Sequence, residues 1–434
     1  MIFNREVEVL FSHEDQKILD GQSKICNWLY NCLLQMCQDD YKNHHNNRKL
    51  LSGRNLRDQV PILKKNHQFL KSVHSSPLKN AALRLKEAYE KYFRENHIEA
   101  PKYRAWKKKW FSLYFDEPKK GFKLLDDNIL RISLGTKENN KKMHVLGRLK
   151  ENPNLRENDK VKTFRLCKKQ GKRFYAIFTI ERVFEKEEKQ QENLSKEKWI
   201  SIDPNHKNFF VAIDYKGDSF EFEKLGQLKY WDRVIDKLKS KRDQALRKAK
   251  KRKSLGGKIY YLPSKRWERL NKALDMAYHR RREQIKSSLY AISNALAKKY
   301  DHVAIGDYTP SLDTAIRKTM HRSMLNQECI GEFRKILSWV MHRSGKTSSI
   351  IDEKGTTKTC SICGHEEKKS PEVREFVCPK CHTHLGRDMN SAINIAKKDS
   401  LLSGSDYLGW QLHQPKYTVG WDFKTSKISF VNVS

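Results

Sequence analysis

The 434-residue chain has no run of about 18 apolar residues, so no segment is long and apolar enough to span a membrane. Its opening, MIFNREVEVLF, lacks the basic-then-apolar order of a secretory signal, and the expectation is a cytoplasmic protein. No internal repeat is present. Nine cysteines in such a setting do not make a disulfide scaffold; Cys26, Cys32, Cys37, Cys167 and Cys329 are scattered and read as small buried residues. Acid is also scarce. Asp and Glu total 52 against 88 Lys and Arg, a formal net charge of +36. A chain with this excess repels itself unless a polyanion neutralises it, and phosphates are the apt counter-charge. The basic residues interleave with 9 Trp, 17 Tyr and 19 Phe, whose faces can stack on unpaired bases. That mixture favours nucleic acid over an acidic membrane surface.

Hydrophobic residues are 38% of the chain, enough for sizeable cores. Val7, Val9 and Phe11 alternate with Glu6 and Glu8, the period of a strand. Ile18, Ile25, Leu29, Leu33 and Met36 then recur at helical spacing, predicting a helix over 13–38, followed by polar loops. A second helix is predicted over 76–95, with Ser76 as N-cap and Pro77 in its first turn. From 120 to 185 strand periodicity returns, which predicts a small barrel interrupted by helices. The charged stretch 186–198 reads as a linker. Beyond it, WISID, Phe209–Asp214 and Ser219–Glu223 read as strands. Residues 228–300 read as helical and very basic, with a segment 224–284 rich in Lys and Arg. Then come strand His302–Ile305, a helix carrying Ile330, Phe333, Leu337 and Val340, strand Ser348–Asp352 and a helix Asp388–Lys398. The order βββ-α-β-α-β-α is the ribonuclease-H plan.

The tight cysteine block reads Cys360-Ser-Ile-Cys363-Gly364 and, after a gap of 14 residues, Cys378-Pro-Lys-Cys381. Two CxxC knuckles supply four thiolates at tetrahedral reach, which suits a structural zinc. A redox dithiol explains one knuckle and not two. His365, His382 and His384 stand by as alternative ligands. Two acids sit at telling places. Asp203 closes the apolar strand Trp199–Ile202, and Asp388 opens the last helix. On the ribonuclease-H plan the two carboxylates converge, and converging carboxylates hold paired Mg²⁺ ions.

At these residues the sequence resembles the transposon-encoded TnpB family and, more distantly, the miniature type V CRISPR effectors. The matching pieces are Ile202-Asp203 with Lys207-Asn208, Thr356 to Gly364, the second knuckle, and Arg387-Asp388-Met389-Asn390-Ser391-Ala392-Ile393-Asn394. The resemblance implies an α+β multidomain protein. A wedge β-barrel (1–12 and 120–185) with a helical recognition insertion (13–119) would precede an RNase H-like RuvC domain (199–354 and 387–400). A zinc ribbon (355–386) would be inserted in that domain, and 401–434 would form a C-terminal tail. It implies guide RNA and target double-stranded DNA as partners, Zn²⁺ and Mg²⁺ as cofactors, a prokaryotic, nucleoid-associated setting, and target recognition beside a short adjacent motif.

In the family a second catalytic acid ends the strand that here runs His302–Ile305, and this chain has Gly306 there. Glu353, at the end of the neighbouring parallel strand, is the best-placed substitute, with Asp352 and Asp307 behind it. The candidate catalytic set is therefore Asp203, Glu353 and Asp388. The competing reading is a nuclease-inactive, RNA-guided DNA-binding repressor. Lys237, Lys239, Arg242, Arg247, Arg252, Arg280 and Arg282 are candidates for guide binding, and Arg387 for contact with nucleic acid. Lys79 and Asn80, at a helix N-terminus, are candidates for contact with the DNA beside the target.

Overall fold

The computed structural model describes residues 2–43, 53–95, 98–105, 110–126, 128–136, 142–169, 173–182, 198–205, 208–253, 257, 259–308, 329–367, 373–403, 410, 415–422, 425 and 427–432. Almost all of the expected linker, and Lys207, lie outside them. The chain divides into two compact units, Met1–Glu187 and Glu188–Ser434.

In the first unit, β1 (Ile2–Leu10) leads into α1 (His13–Asn43), α2 (Gly53–Asn66) and α3 (Ser75–Arg94). Then follow β2 (Leu113–Phe115), β3 (Phe122–Asp126), β4 (Ile129–Thr136), β5 (Lys142–Leu149), β6 (Asp159–Lys168) and β7 (Phe174–Arg182). The strands pair antiparallel in the order β2-β6-β7-β1-β5-β4-β3. The sheet curls until it is nearly closed. Phe115 of edge strand β2 and Phe122 of edge strand β3 both pack on Phe164, at ring-centroid distances of 5.6 and 5.2 Å.

Three local expectations need correction. Residues 53–66, read as polar loop, form α2, which buries Leu56 and Val60. The N-cap of α3 is His74, whose ring nitrogen accepts from the Ser76 N–H; Ser76 lies inside the helix. β2 lies within the stretch expected to be helical insertion, and its three residues are too few to display a period.

In the second unit, β8 (Trp199–Pro204), β9 (Phe210–Asp214) and β10 (Ser219–Phe222) form an antiparallel meander. Next come α4 (Gly226–Arg247), β11 (Lys250–Lys253), β12 (Ile259–Leu262), α5 (Lys265–Lys299), β13 (His302–Gly306), α6 (Ile330–Arg343) and β14 (Thr347–Ile351). Last are β15 (Glu375–Val377), β16 (His384–Gly386), α7 (Arg387–Lys398), β17 (Tyr417–Asp422) and β18 (Lys427–Asn432). The sheet order is β14-β13-β8-β9-β10-β17-β18, with β13 parallel to both neighbours. The basic stretch expected to be helical throughout is broken by the hairpin β11–β12, so Arg252 stands on a strand. The stretch read as a tail adds β17, parallel to β10, and β18 to the sheet.

Alternation along β8 decides what faces what. Ile200 and Ile202 point into a core with Leu289, Ile292, Phe333 and Leu337 of α5 and α6. Trp199 packs on the other face with Met389, Ala392, Ile393 and Ala396 of α7. Ser201 shares that face and donates to the Ala392 carbonyl at 2.7 Å. By the same parity Asp203 faces α7.

Candidate active site and metal centre

Asp203 is buried, 4% exposed, near the C-terminal end of β8. Small residues Ser391, Ala392 and Ala396 let α7 lie close on the sheet, so its first turn carries Asp388 toward Asp203. Burial, and then the charges of Glu353 and Asp388, push the Asp203 carboxyl well above its ordinary range, while Arg387 pulls it back. Asp388 accepts from the Asn205 amide at 3.5 Å and lies 3.7 Å from the Arg387 guanidinium and 3.9 Å from that of Arg374.

The third acid arrives from β14. Strand β13 lies between β14 and β8, with Ile305 opposite Ile202 and Gly306 opposite Ile351. A Cβ on Gly306 would lie 1.8 Å from Glu353 Oε1 and 2.5 Å from its carboxyl carbon. The Glu353 carboxylate therefore fills the space that a side chain at 306 would need. It accepts from the Tyr308 N–H at 3.3 Å, yet burial raises its pKa to about 7. The two other candidate acids are turned to backbone: Asp307 accepts from the Glu353 N–H at 3.1 Å, and Asp352 from the Lys354 N–H at 2.9 Å.

Asp203, Glu353 and Asp388 are all acids, and carboxylate oxygens are the donors that Mg²⁺ takes. They are not drawn onto one point. Among the described residues, only the four cysteines are gathered with all ligand atoms within 4.8 Å of one another.

The cysteine cluster is compact. Cys360 and Cys381 sulfurs lie 3.6 Å apart, and those of Cys363 and Cys378 3.5 Å apart. These separations exceed a disulfide's ~2.05 Å and match four thiolates around one ion at about 2.3 Å. Each knuckle closes in the same way. The residue after its second cysteine, Gly364 or His382, adopts positive φ, and its N–H donates to the first cysteine's carbonyl. His382 is thus a turn residue, and His384 pairs with Glu375.

One connection was not read from the sequence. Asn390 and Asn394, one turn apart on α7, both donate to the carbonyls of Thr356 and Thr359, at 2.7–3.2 Å. The Asn390 carbonyl oxygen also accepts from the Ser361 N–H at 2.8 Å. Lys398 bonds the carbonyls of Asp352 and Lys354, on either side of Glu353, at 2.8 Å each. A single helix thus presents Asp388, seats the first cysteine knuckle and grips the loop that carries Glu353. The available signal was the Asn spacing of four in Asn390-Ser-Ala-Ile-Asn394.

The remaining predicted basic residues stand on other elements. Lys237, Lys239, Arg242 and Arg247 are on α4, and Arg280 and Arg282 on α5; the two helices share a small core of Trp231, Ile235, Leu274 and Ala277. Lys239 lies 5.6 Å over the Tyr278 ring, and Arg242 pairs with Asp243. In the first unit Lys79 pairs with Glu117 at 3.8 Å, and the side-chain oxygen of Asn80 is buried without a hydrogen-bond partner among the described residues.

Residues 331–395 match the family model described as Cas12f1-like, TNB domain. The protein R186 of Acanthamoeba polyphaga mimivirus, which carries the name of a transposase, is 33% identical over 136 residues. That alignment covers 30% of this chain and only 27% of the relative's length. The Cas12f1 chain of a Cas12f1–sgRNA–target DNA complex superposes with a TM-score of 0.59 at 14% identity, covering 89% of this chain and 83% of that one, a likeness of fold. The mini-RNA-guided endonuclease CRISPR-Cas phi3 gives a TM-score of 0.45 at 11% identity, covering 93% of each chain.

Proposed function

We propose that this chain, a TnpB-like protein akin to the miniature type V effectors, is an RNA-guided DNA endonuclease. On this reading the first unit is the wedge barrel with its recognition insertion. The second is the RNase H-like RuvC domain with its zinc ribbon. The chain holds a transposon-derived guide RNA, meets target DNA beside a short adjacent motif, and cuts at the acids Asp203, Glu353 and Asp388.

The observation that carries this reading is the Glu353 carboxylate in the space left by Gly306. On this reading the acid missing from β13 is supplied by Glu353, in the loop after β14. Burying mutually repelling carboxylates costs stability unless a cation neutralises them, so a chain that no longer cuts has no physical reason to keep them together. When bound there, Mg²⁺ ions supply an activated water and stabilise the leaving 3′ oxygen. Asp203, Asp388 and Glu353 would hold them. Arg387 and Arg374 lie near Asp388, where a scissile phosphate would be attracted. The cysteine cluster would hold a structural zinc and leaves no ligand position for chemistry.

A second reading keeps some support, because Gly306 removes an acid from its usual strand and the three acids are not tightly gathered. In it the chain binds guide and target without cutting and represses by occupancy. A guided cleavage assay on the purified complex separates the two. Asp203→Ala and Asp388→Ala are expected to lose cutting by roughly 100-fold or more while target binding persists, and Glu353→Gln is expected to behave alike. No cutting by the unaltered complex, with binding intact, would establish the repressor.

A further inference from the structure

Three arginines of the first unit sit against aromatic rings. Arg84 is on α3, Arg104 in the irregular stretch 98–105, and Arg165 on β6. The guanidinium carbons of Arg84 and Arg104 lie 4.5 and 4.4 Å from the centroid of one ring, Phe111. Arg104 is also 4.4 Å from the Tyr30 centroid, and Arg165 is 5.4 Å from that of Tyr114. The charges of Arg165 and Arg104 both act on Arg84, whose pKa falls to about 10, with burial the larger cause. Among the described residues none of the three has a carboxylate partner. Other arginines of this unit do: Arg182 pairs with Asp159 at 2.6 Å and Arg173 with Glu8 at 3.3 Å.

The cluster is held in place by dedicated bonds. Asn31 of α1 grips the Arg104 backbone on both sides, donating to its carbonyl and accepting from its N–H, each at 2.9 Å. The Phe111 N–H donates to the buried Ser23 hydroxyl at 2.8 Å. Arg84 donates to the Ser112 hydroxyl. These contacts hold the Arg104 backbone, the Phe111 backbone and the Arg84 guanidinium in place.

Partly buried charges are ordinarily paired, and an unpaired one costs stability. Among the described residues no carboxylate compensates the half-buried Arg84 and Arg104, and an anion from outside would do so. Planar guanidinium forks match phosphate oxygens in pairs. Arg84 and Arg104, both against the Phe111 ring, suit an anion that repeats along a chain. Tyr30 and Phe111 are buried, so they support the arginines and are not free to stack on bases. We propose that Arg84, Arg104 and Arg165 form a preorganised site for the phosphodiester backbone of a nucleic acid, gripped without reading its sequence. The proposal rests on the functional reading above and adds where the first unit holds a backbone.

The test is a salt titration of binding by the full chain. The probes are a fluorescent single-stranded RNA oligonucleotide and a fluorescent DNA duplex of equal length. The variants are R84Q/R104Q/R165Q and R84K/R104K/R165K. Loss of the site lowers the slope of log affinity against log salt by about 2–3 in the Gln variant, and the Lys variant retains most of it. An effect on the RNA alone identifies a guide strand as occupant, and an effect on the duplex alone identifies target DNA. Arg165 is exposed, so R165Q by itself reads a fall of about 1 should the triple variant fail to fold. An unchanged slope on both probes, in protein that binds them, overturns this proposal and leaves the functional reading standing. Absence of salt-dependent binding by the unaltered chain overturns both.

Discussion

At residue 306 an added Cβ would meet the far end of a flexible side chain, Glu353, and no backbone. The collision is cheap to relieve by swinging the carboxylate away, so fold and function should separate. Gly306→Ala is expected to shift stability by less than about 1 kcal/mol while lowering cleavage roughly tenfold or more, read by thermal unfolding and guided cutting on the same preparation. Ionisation gives a second prediction. The Glu353 pKa is raised from 4.5 to about 7 in the folded chain, and that of Asp203 is raised as well. A carboxyl that binds its proton more tightly when folded contributes stability below its unfolded pKa, and that contribution is lost as pH rises through the folded value. The metal-free protein should therefore lose stability between about pH 4.5 and 7, by about 1.4 kcal/mol for each pH unit separating the folded and unfolded values, before solvent screening is discounted. Glu353→Gln should flatten that part of the profile, and Mg²⁺ should restore stability above pH 7. A metal-free melting temperature that rises over this range would contradict the assignment. Much of this site is legible in the sequence, because Asp203 and Asp388 stand at element ends and Glu353 follows from strand adjacency. The choice among Glu353, Asp352 and Asp307 is not, because it depends on which carboxylate turns back to cap a loop.

Helix α7 joins the acid site to the cysteine cluster. Replacing both Asn390 and Asn394 by Ala leaves the Thr356 and Thr359 carbonyls and the Ser361 N–H without their partners, at about 1–3 kcal/mol for each buried group left unmet. The double variant should retain its zinc, lose much of its cutting, and show faster amide exchange over 352–361. Unchanged exchange there would remove the helix's role as a clamp. Loss of Cys360 or Cys378 should instead release zinc and unfold the ribbon, with metal analysis as the readout. Elements with many apolar repeats, such as α1, α5 and β8, are visible in the sequence. Helix α2 is not, since Pro61 and polar neighbours hide its two buried positions. Strand β17 pairs with β10 from almost 200 residues away, and no local period reports such a partner.

Across the whole molecule, a net charge of +36 requires a polyanion. Neutralising Lys237, Arg242, Arg247, Arg280 and Arg282 together on α4 and α5 should weaken guide RNA binding and lower its salt slope by about one for each phosphate no longer held. A slope equal to that of the unaltered chain would free these helices of that role. The central claim is that one carboxylate has moved from the end of β13 to the loop after β14 and that the chain still cuts. Guided cleavage by Glu353→Gly and by the double variant Gly306→Glu/Glu353→Gly, side by side with target binding, addresses it most directly. The single variant should bind its target and not cut, and the double variant, with the acid returned to β13, should regain a measurable share of cutting. Full cutting by Glu353→Gly would contradict the account.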